Sequence, residues 1–139
     1  MIMRIAVAFL AGLVVAVGHA NACSCVRGDD RVVAKFLRQV LRQPGAALVE
    51  VEATASDGGQ SEHTTTFKVI QSWVGATGAE IKVHHATSSA ACGVTFTMGE
   101  RYVVLASSGD QGLRTNACTQ LMASRVKAWG KARVQELLK

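Results

Sequence analysis

Hydrophobic and polar positions change period several times along the chain. An unbroken apolar run from Ile5 to Val17 follows Arg4 and precedes the small, polar segment Gly18-His19-Ala20-Asn21-Ala22. A positive start, an apolar middle and an Ala-x-Ala end predict a secretory signal peptide over residues 1–22, cleaved ahead of Cys23. The run is shorter than the roughly 20 apolar residues that a membrane-spanning helix requires. Export without a transmembrane helix is therefore expected, and the product is secreted or periplasmic. Beyond the leader, Val33, Phe36, Leu37, Val40 and Leu41 recur at helical spacing, which predicts a helix over Arg31–Leu41. Asp29 and Asp30 suit its start and Pro44-Gly45 its end.

The period then shortens to two. Val49, Val51, Ala53 and Ala55 alternate with Glu50, Glu52 and Thr54, the pattern of a half-buried strand. Ser56 to Ser61 turns the chain, and Thr64–Trp73 is β-branched and aromatic enough for a second strand. Glu80–His84 predicts a third and Arg101–Ala106 a fourth, apolar on both faces and so expected to be central. Leu113–Cys118 predicts a fifth. A closing helix is expected from about Leu121, with Met122, Val126 and Trp129 on one face and Gly130 weakening it by about 1 kcal/mol relative to Ala. Five short strands without a βαβ rhythm predict a mainly β fold, a small antiparallel barrel with a helix before it and a helix after it.

Removing residues 1–22 from the 139 leaves 117, enough for one domain (23–139) with a real core and too few for two. The formal charge is +5, or +4 once Arg4 leaves with the leader. Arg125, Lys127, Lys131, Arg133 and Lys139 hold part of that excess in the tail. Spread along a helix, they read as a solvated face, and no nucleic-acid partner is expected.

All four cysteines, Cys23, Cys25, Cys92 and Cys118, lie beyond the cleavage site. An even count in an oxidising compartment predicts two disulfides. Pairing Cys23 with Cys25 would close a tiny strained ring. Both remaining arrangements tie the N-terminal strip to positions 92 and 118, through loops of about 70 to 100 residues worth about 4 kcal/mol each in the chain-entropy model. Such bridges explain how a chain with only 5% aromatic residues holds together. A terminus pinned in this way presents a free α-amino group beside its first carbonyl oxygen, a pair of atoms able to chelate a metal.

In order along the chain stand Cys23-Ser24-Cys25-Val26, then Phe67-Lys68-Val69 with Trp73 and Gly75, then Cys92-Gly93, Gly99 with Tyr102-Val103-Val104, and Leu113 with Cys118. This series resembles the N-terminal domain of the tissue inhibitors of metalloproteinases, a netrin-like module on an OB-fold barrel, from Cys23 through Cys118. The resemblance implies a secreted metalloproteinase inhibitor and a secreted zinc metalloproteinase as partner. In that family the mature N-terminal cysteine places its amine nitrogen and carbonyl oxygen on the protease's catalytic zinc, and Cys23 inherits that role. The zinc belongs to the partner, and no cofactor of the chain's own is expected. Ser24 matches the residue whose side chain enters the specificity pocket. Cys25 and Val26 continue the wedge, and the loop Ser88, Ser89, Ala90 and Ala91 flanks it. The family pairing joins Cys23 to Cys92 and Cys25 to Cys118. The chain departs from the family in lacking a third disulfide and in carrying Arg27 where a proline is usual.

A second reading is a netrin-like extracytoplasmic binding or adhesion module without inhibitory activity. It could be a lipoprotein acylated at Cys23, since a cysteine directly after the cleavage site also marks lipoproteins. Ala20 stands where their signal carries leucine. Adjacent strand residues such as His84 and His85 face opposite ways, against a metal role. The carboxylate pairs Glu50/Glu52 and Asp57/Glu62 fall on a wet strand face and at a turn. With no nucleophile, base or cofactor motif beside them, no enzyme is expected. Trp73 and Tyr102 are expected in the core rather than stacking bases.

Overall fold

A computed structural model describes residues 23–75 and 78–139, so the expected leader and its cleavage site lie outside the described residues. Helix α1, Asp30–Leu41, begins where the Asp29 carboxylate accepts from the Arg31 and Val32 amides at 3.0 and 3.2 Å. Val33, Ala34, Leu37 and Val40 line its buried side. Five strands follow: β1 Ala47–Gly58, β2 Glu62–Val74, β3 Glu80–Ala86, β4 Arg101–Gly109 and β5 Gly112–Arg114. They close into a ring in the order β1-β2-β3-β5-β4, with β4 returning to pair with β1. Three register shifts along the β1–β2 ladder bend these two long strands around the ring.

The expectation of an all-antiparallel sheet is corrected: β3 and β5 run parallel, with Val83 opposite Leu113 and His84 opposite Arg114. The reason is topological. Neighbours around an odd-numbered closed ring cannot all alternate in direction, so five strands require at least one parallel pair. The shortest strand carries it.

Two apolar clusters explain why strand alternation is imperfect in the sequence. Inside the ring lie Val49, Val51, Ala53, Phe67, Val83, Val104 and Ala106. Their neighbours Leu48, Trp73, Val103 and Leu105 point outward, beneath Val33, Leu37, Met122, Val126 and Val134 of the helices. β4 is therefore apolar on both faces because α2 covers its outer side. Phe96, from the segment between β3 and β4, plugs the ring, edge-on to Phe67, His85 and Tyr102 at centroid distances of 4.9, 5.1 and 5.1 Å.

The expected fifth strand, Leu113–Cys118, is also corrected. It ends at Arg114, and Cys118 lies in helix α2, Ala117–Trp129, which starts four residues ahead of the expected Leu121. Asn116 and Thr119 form a capping box there, with the Asn116 side chain accepting from the Cys118 and Thr119 amides. Gly130, expected only to weaken one long helix, breaks it. With φ +80° it ends α2, and α3, Lys131–Leu137, starts in a new direction. Trp129 packs half-buried against the helix-side cluster, as expected of a residue holding the last helices down.

His85 is buried inside the ring at 2% exposure. Its Nδ1 lies 3.2 Å from the Ala86 carbonyl and its Nε2 2.7 Å from the Thr65 hydroxyl. A carbonyl only accepts, so Nδ1 carries the proton and Nε2 accepts from Thr65. Burial holds the imidazole below its ordinary 6.5, against the opposing pull of the backbone carbonyls it meets; His63 adds a small push downward and Glu62 a small pull upward. The unfolded chain therefore binds a proton that the folded chain refuses, and stability should decline as pH falls below about 6.5. The His85→Gln variant is expected to lower the melting temperature at pH 7.5 yet flatten its fall between pH 7 and 5. An equal slope in both proteins would assign that fall to other groups.

Candidate functional site

The strip from Cys23 to Gly28 has no regular hydrogen-bonded structure, and covalent bonds hold it instead. Cys23 is bonded to Cys92 and Cys25 to Cys118, with Cα separations of 5.2 and 5.0 Å. This is the pairing that the family resemblance implies. The Cys23 and Cys118 sulfurs approach to 3.5 Å. Neither bears a hydrogen, so the approach is contact between two stacked bridges. Cys23, Cys25 and Cys118 form the one set of clustered potential metal ligands among the described residues, and their engagement in disulfides removes the thiolates a metal would need.

With both cysteines bonded to the body, their neighbours face outward. Ser24 and Val26 are exposed, Val26 to 50%. A third tether follows, in which the Arg125 guanidinium donates to the Gly28 carbonyl at 2.8 Å. Gly28 is the third residue after Cys25, and Arg125 the seventh after Cys118 along α2. Both spans measure about 10 Å, so the strip runs alongside the first two turns of α2.

The other wall is the turn after β3. Ser89–Ala91 is a single 3-10 turn, and Ser88, Ser89, Ala90 and Ala91 are all exposed. Cys92 ends the turn in the left-handed region at φ 55°, uncommon for a residue with a Cβ. It is held there by its disulfide and by the Ala117 amide, which donates to its carbonyl at 2.8 Å. Gly93 folds back beneath, donating to the Ser88 carbonyl at 2.8 Å, while Val94 donates to Ala86 at 2.9 Å. A Cβ on Gly93 would meet backbone atoms of Thr87, Ser88 and Ala86 at 2.5, 2.6 and 2.7 Å. Gly93→Ala should therefore cost about 1–3 kcal/mol and displace the 88–91 turn. Urea unfolding reads that cost, and an unchanged midpoint would mean the turn yields freely.

The structure thus brings Cys23, Ser24, Cys25 and Val26 beside the turn at 88–91 through the Cys23–Cys92 bridge. The strip and turn carry no ionisable side chain before Arg27. Their chemistry is that of backbone groups and of the Ser24, Ser88 and Ser89 hydroxyls. His84 and His85 face opposite ways: His84 Nδ1 meets the Thr64 hydroxyl at 2.8 Å and His85 points into the ring. Trp73 is buried beneath the helices and Tyr102 is half-buried against Phe96. Two supports escaped the sequence reading. The Arg125 tether has no sequence signature, because its partner is a backbone carbonyl 97 residues away. The Asn116-x-x-Thr119 capping box was legible as a motif and shows that Cys118 is presented from a helix.

The disulfides fit an oxidising, extracytoplasmic compartment, and no helix among the described residues is long and apolar enough to cross a membrane. No family model matches the chain, and no curated protein matches it significantly.

Proposed function

We propose that this protein is an exported inhibitor of zinc metalloproteinases, built on an OB-fold-like barrel and acting through its mature N-terminal residue, Cys23. The observation that carries the proposal is the strip itself: two disulfides fasten Cys23 and Cys25 to the body while Ser24 and Val26 stand exposed beside an exposed turn. The five-stranded ring beneath is consistent with an OB-fold-like barrel.

Cleavage ahead of Cys23 creates an α-amine next to the Cys23 carbonyl. A catalytic zinc with three protein ligands keeps an open position that normally holds water. The amine and carbonyl fill it together and displace the nucleophile. Ser24 then enters the protease's specificity pocket, and Cys25, Val26 and residues 88–91 contact the cleft walls. Fastening the strip in advance reduces the ordering entropy lost on binding.

The test is titration of mature protein, shown by intact mass to begin at an unmodified Cys23, against a panel of secreted zinc proteases. Only the neutral amine ligates, and an ordinary α-amine has a pKa of about 7.7–8.0. Binding below that range releases one proton, so the inhibition constant should fall about tenfold per pH unit and level off above pH 8. Absence of inhibition across the panel, or a constant indifferent to pH, would overturn the chelation mechanism. A mass increment of fatty acyl chains on Cys23 would instead support the membrane-anchored binding module.

A further inference from the structure

Helix α1 carries Arg31, Lys35, Arg38 and Arg42 at spacings of four, three and four. That spacing gathers them on one side of the helix, and all four are exposed while Val33, Ala34, Leu37 and Val40 are buried on the other. The acids nearby are Asp29, Asp30 and Glu136. Asp29 caps the helix, and Asp30 is paired with Arg125 and Arg133 at 3.6 and 3.5 Å. Glu136 lies on α3, and from Arg31 to its end α1 has no acid at all. Arg38 donates twice to the Leu137 carbonyl, at 2.9 and 2.6 Å, which brings the end of α3 and Lys139 beside the stripe. Together Arg38, Arg42 and Lys139 rim an open depression of about 510 Å³ whose floor is Leu41, Val74 and Leu138.

The charges on this face are unspent. Arg101, Arg114, Arg125 and Arg133 each meet a carboxylate. Among the described residues, the Arg31, Lys35 and Arg42 side chains make no hydrogen bond or ion pair.

We infer that this face is a docking surface for an anionic phospholipid bilayer, held by headgroup phosphates and separate from the disulfide-pinned strip. A planar array of phosphates suits cations on long stems along a convex helix of about 16 Å. A single-stranded nucleic acid calls for a groove with stacking aromatics, whereas Trp73 is buried and Tyr102 half-buried. The half-buried Leu41, Val74 and Leu138 between the cations give the interface an apolar floor. Each cation near an anionic surface contributes about fivefold to partitioning, and the attraction dies away within a Debye length.

The experiment is co-sedimentation of the non-acylated mature protein with vesicles of phosphatidylcholine alone or mixed equally with phosphatidylglycerol, at about 0.1 M ionic strength. Binding is expected only to the mixed vesicles and should be lost in 0.5 M salt. Lys35 and Arg42 have exposed, unpartnered side chains, so the double variant Lys35→Gln, Arg42→Gln should melt like the parent. It should bind about 25-fold more weakly, while Lys35→Arg, Arg42→Lys keeps the affinity. Equal binding of the Gln variant, or equal binding to both vesicle types, overturns the inference. So does binding of long-chain polyphosphate that depends on Lys35 and Arg42 in the absence of vesicle binding, which would assign the face to a linear polyanion.

Discussion

Adding one alanine ahead of Cys23 in the mature protein should abolish inhibition of any zinc protease that the unextended protein inhibits. The extension converts the chelating amine into an amide nitrogen, which carries no available lone pair, and moves the new amine one residue, about 3.5 Å, away from the carbonyl. Little else changes. Both disulfides remain, and Ser24, Val26 and the 88–91 turn keep their places. Thermal melting should therefore match the parent's while the inhibition constant rises by at least two orders of magnitude, the scale of losing a metal chelate rather than a rim contact. Equal potency of the two forms would show that the strip binds without ligating zinc and would favour the adhesion-module reading.

The second large effect concerns the bridge between Cys25 and Cys118, which closes a loop with a sequence separation of 93. Replacing both cysteines by alanine frees the denatured chain from that constraint, a loss of about 4 kcal/mol in the chain-entropy model. For a domain of this size each kcal/mol corresponds to roughly 4 °C, so the melting temperature should drop by about 15 °C. The same double variant leaves Cys23–Cys92 intact. It thereby separates overall stability from pre-organisation of the strip. Measured well below its new melting temperature, the variant should still inhibit more weakly, because between the Cys23–Cys92 bridge and the Arg125 contact at Gly28 the strip has then lost its middle fastening. A melting temperature within a few degrees of the parent's would mean that this bridge constrains little of the unfolded chain.

Local pattern carried much of the architecture. The apolar spacing in α1 and its Asp29 cap, the alternation in β1 and the even cysteine count each act through near neighbours or composition. A sequence displays such effects directly. The turn expected at 56–61 narrows to 59–61, because Ser56, Asp57 and Gly58 still pair with β2. The β5–α2 boundary was harder because Leu113–Cys118 has a plausible strand composition. The competing capping box at Asn116 and Thr119 wins by satisfying two helix-start amides, and it turns Cys118 from a strand position into a helical one. Gly130 differed for a similar reason. A glycine in a helix costs about 1 kcal/mol when it stays helical, but packing of Val134 against the helix-side cluster draws the chain into a left-handed φ that glycine accepts freely.

For the candidate site, the cysteines themselves and the small, exposed character of Ser24 and of residues 88–91 were visible in the chain. What brings them together was not. Four cysteines leave two sensible pairings, and only the course of the strip past the β3–β4 connection and the start of α2 selects one. The fit of Gly93 beneath Ser88, the left-handed Cys92 and the Arg125 tether all depend on atoms far apart in sequence.

By itself, then, the sequence determined which segments pair their apolar faces with a core, because 3.6- and 2-residue periodicities follow from backbone geometry alone. It also determined that the N-terminal strip would be covalently fastened. The tertiary structure decided how five strands close: an odd ring forces at least one parallel pair, and the packing places it between β3 and β5. It decided that β4 is covered on both faces, that Phe96 fills the interior, and that the Arg31, Lys35 and Arg42 side chains on α1 meet no carboxylate among the described residues. Those outcomes depend on which distant surfaces meet, and free energy at such contacts is settled by shape and charge in three dimensions.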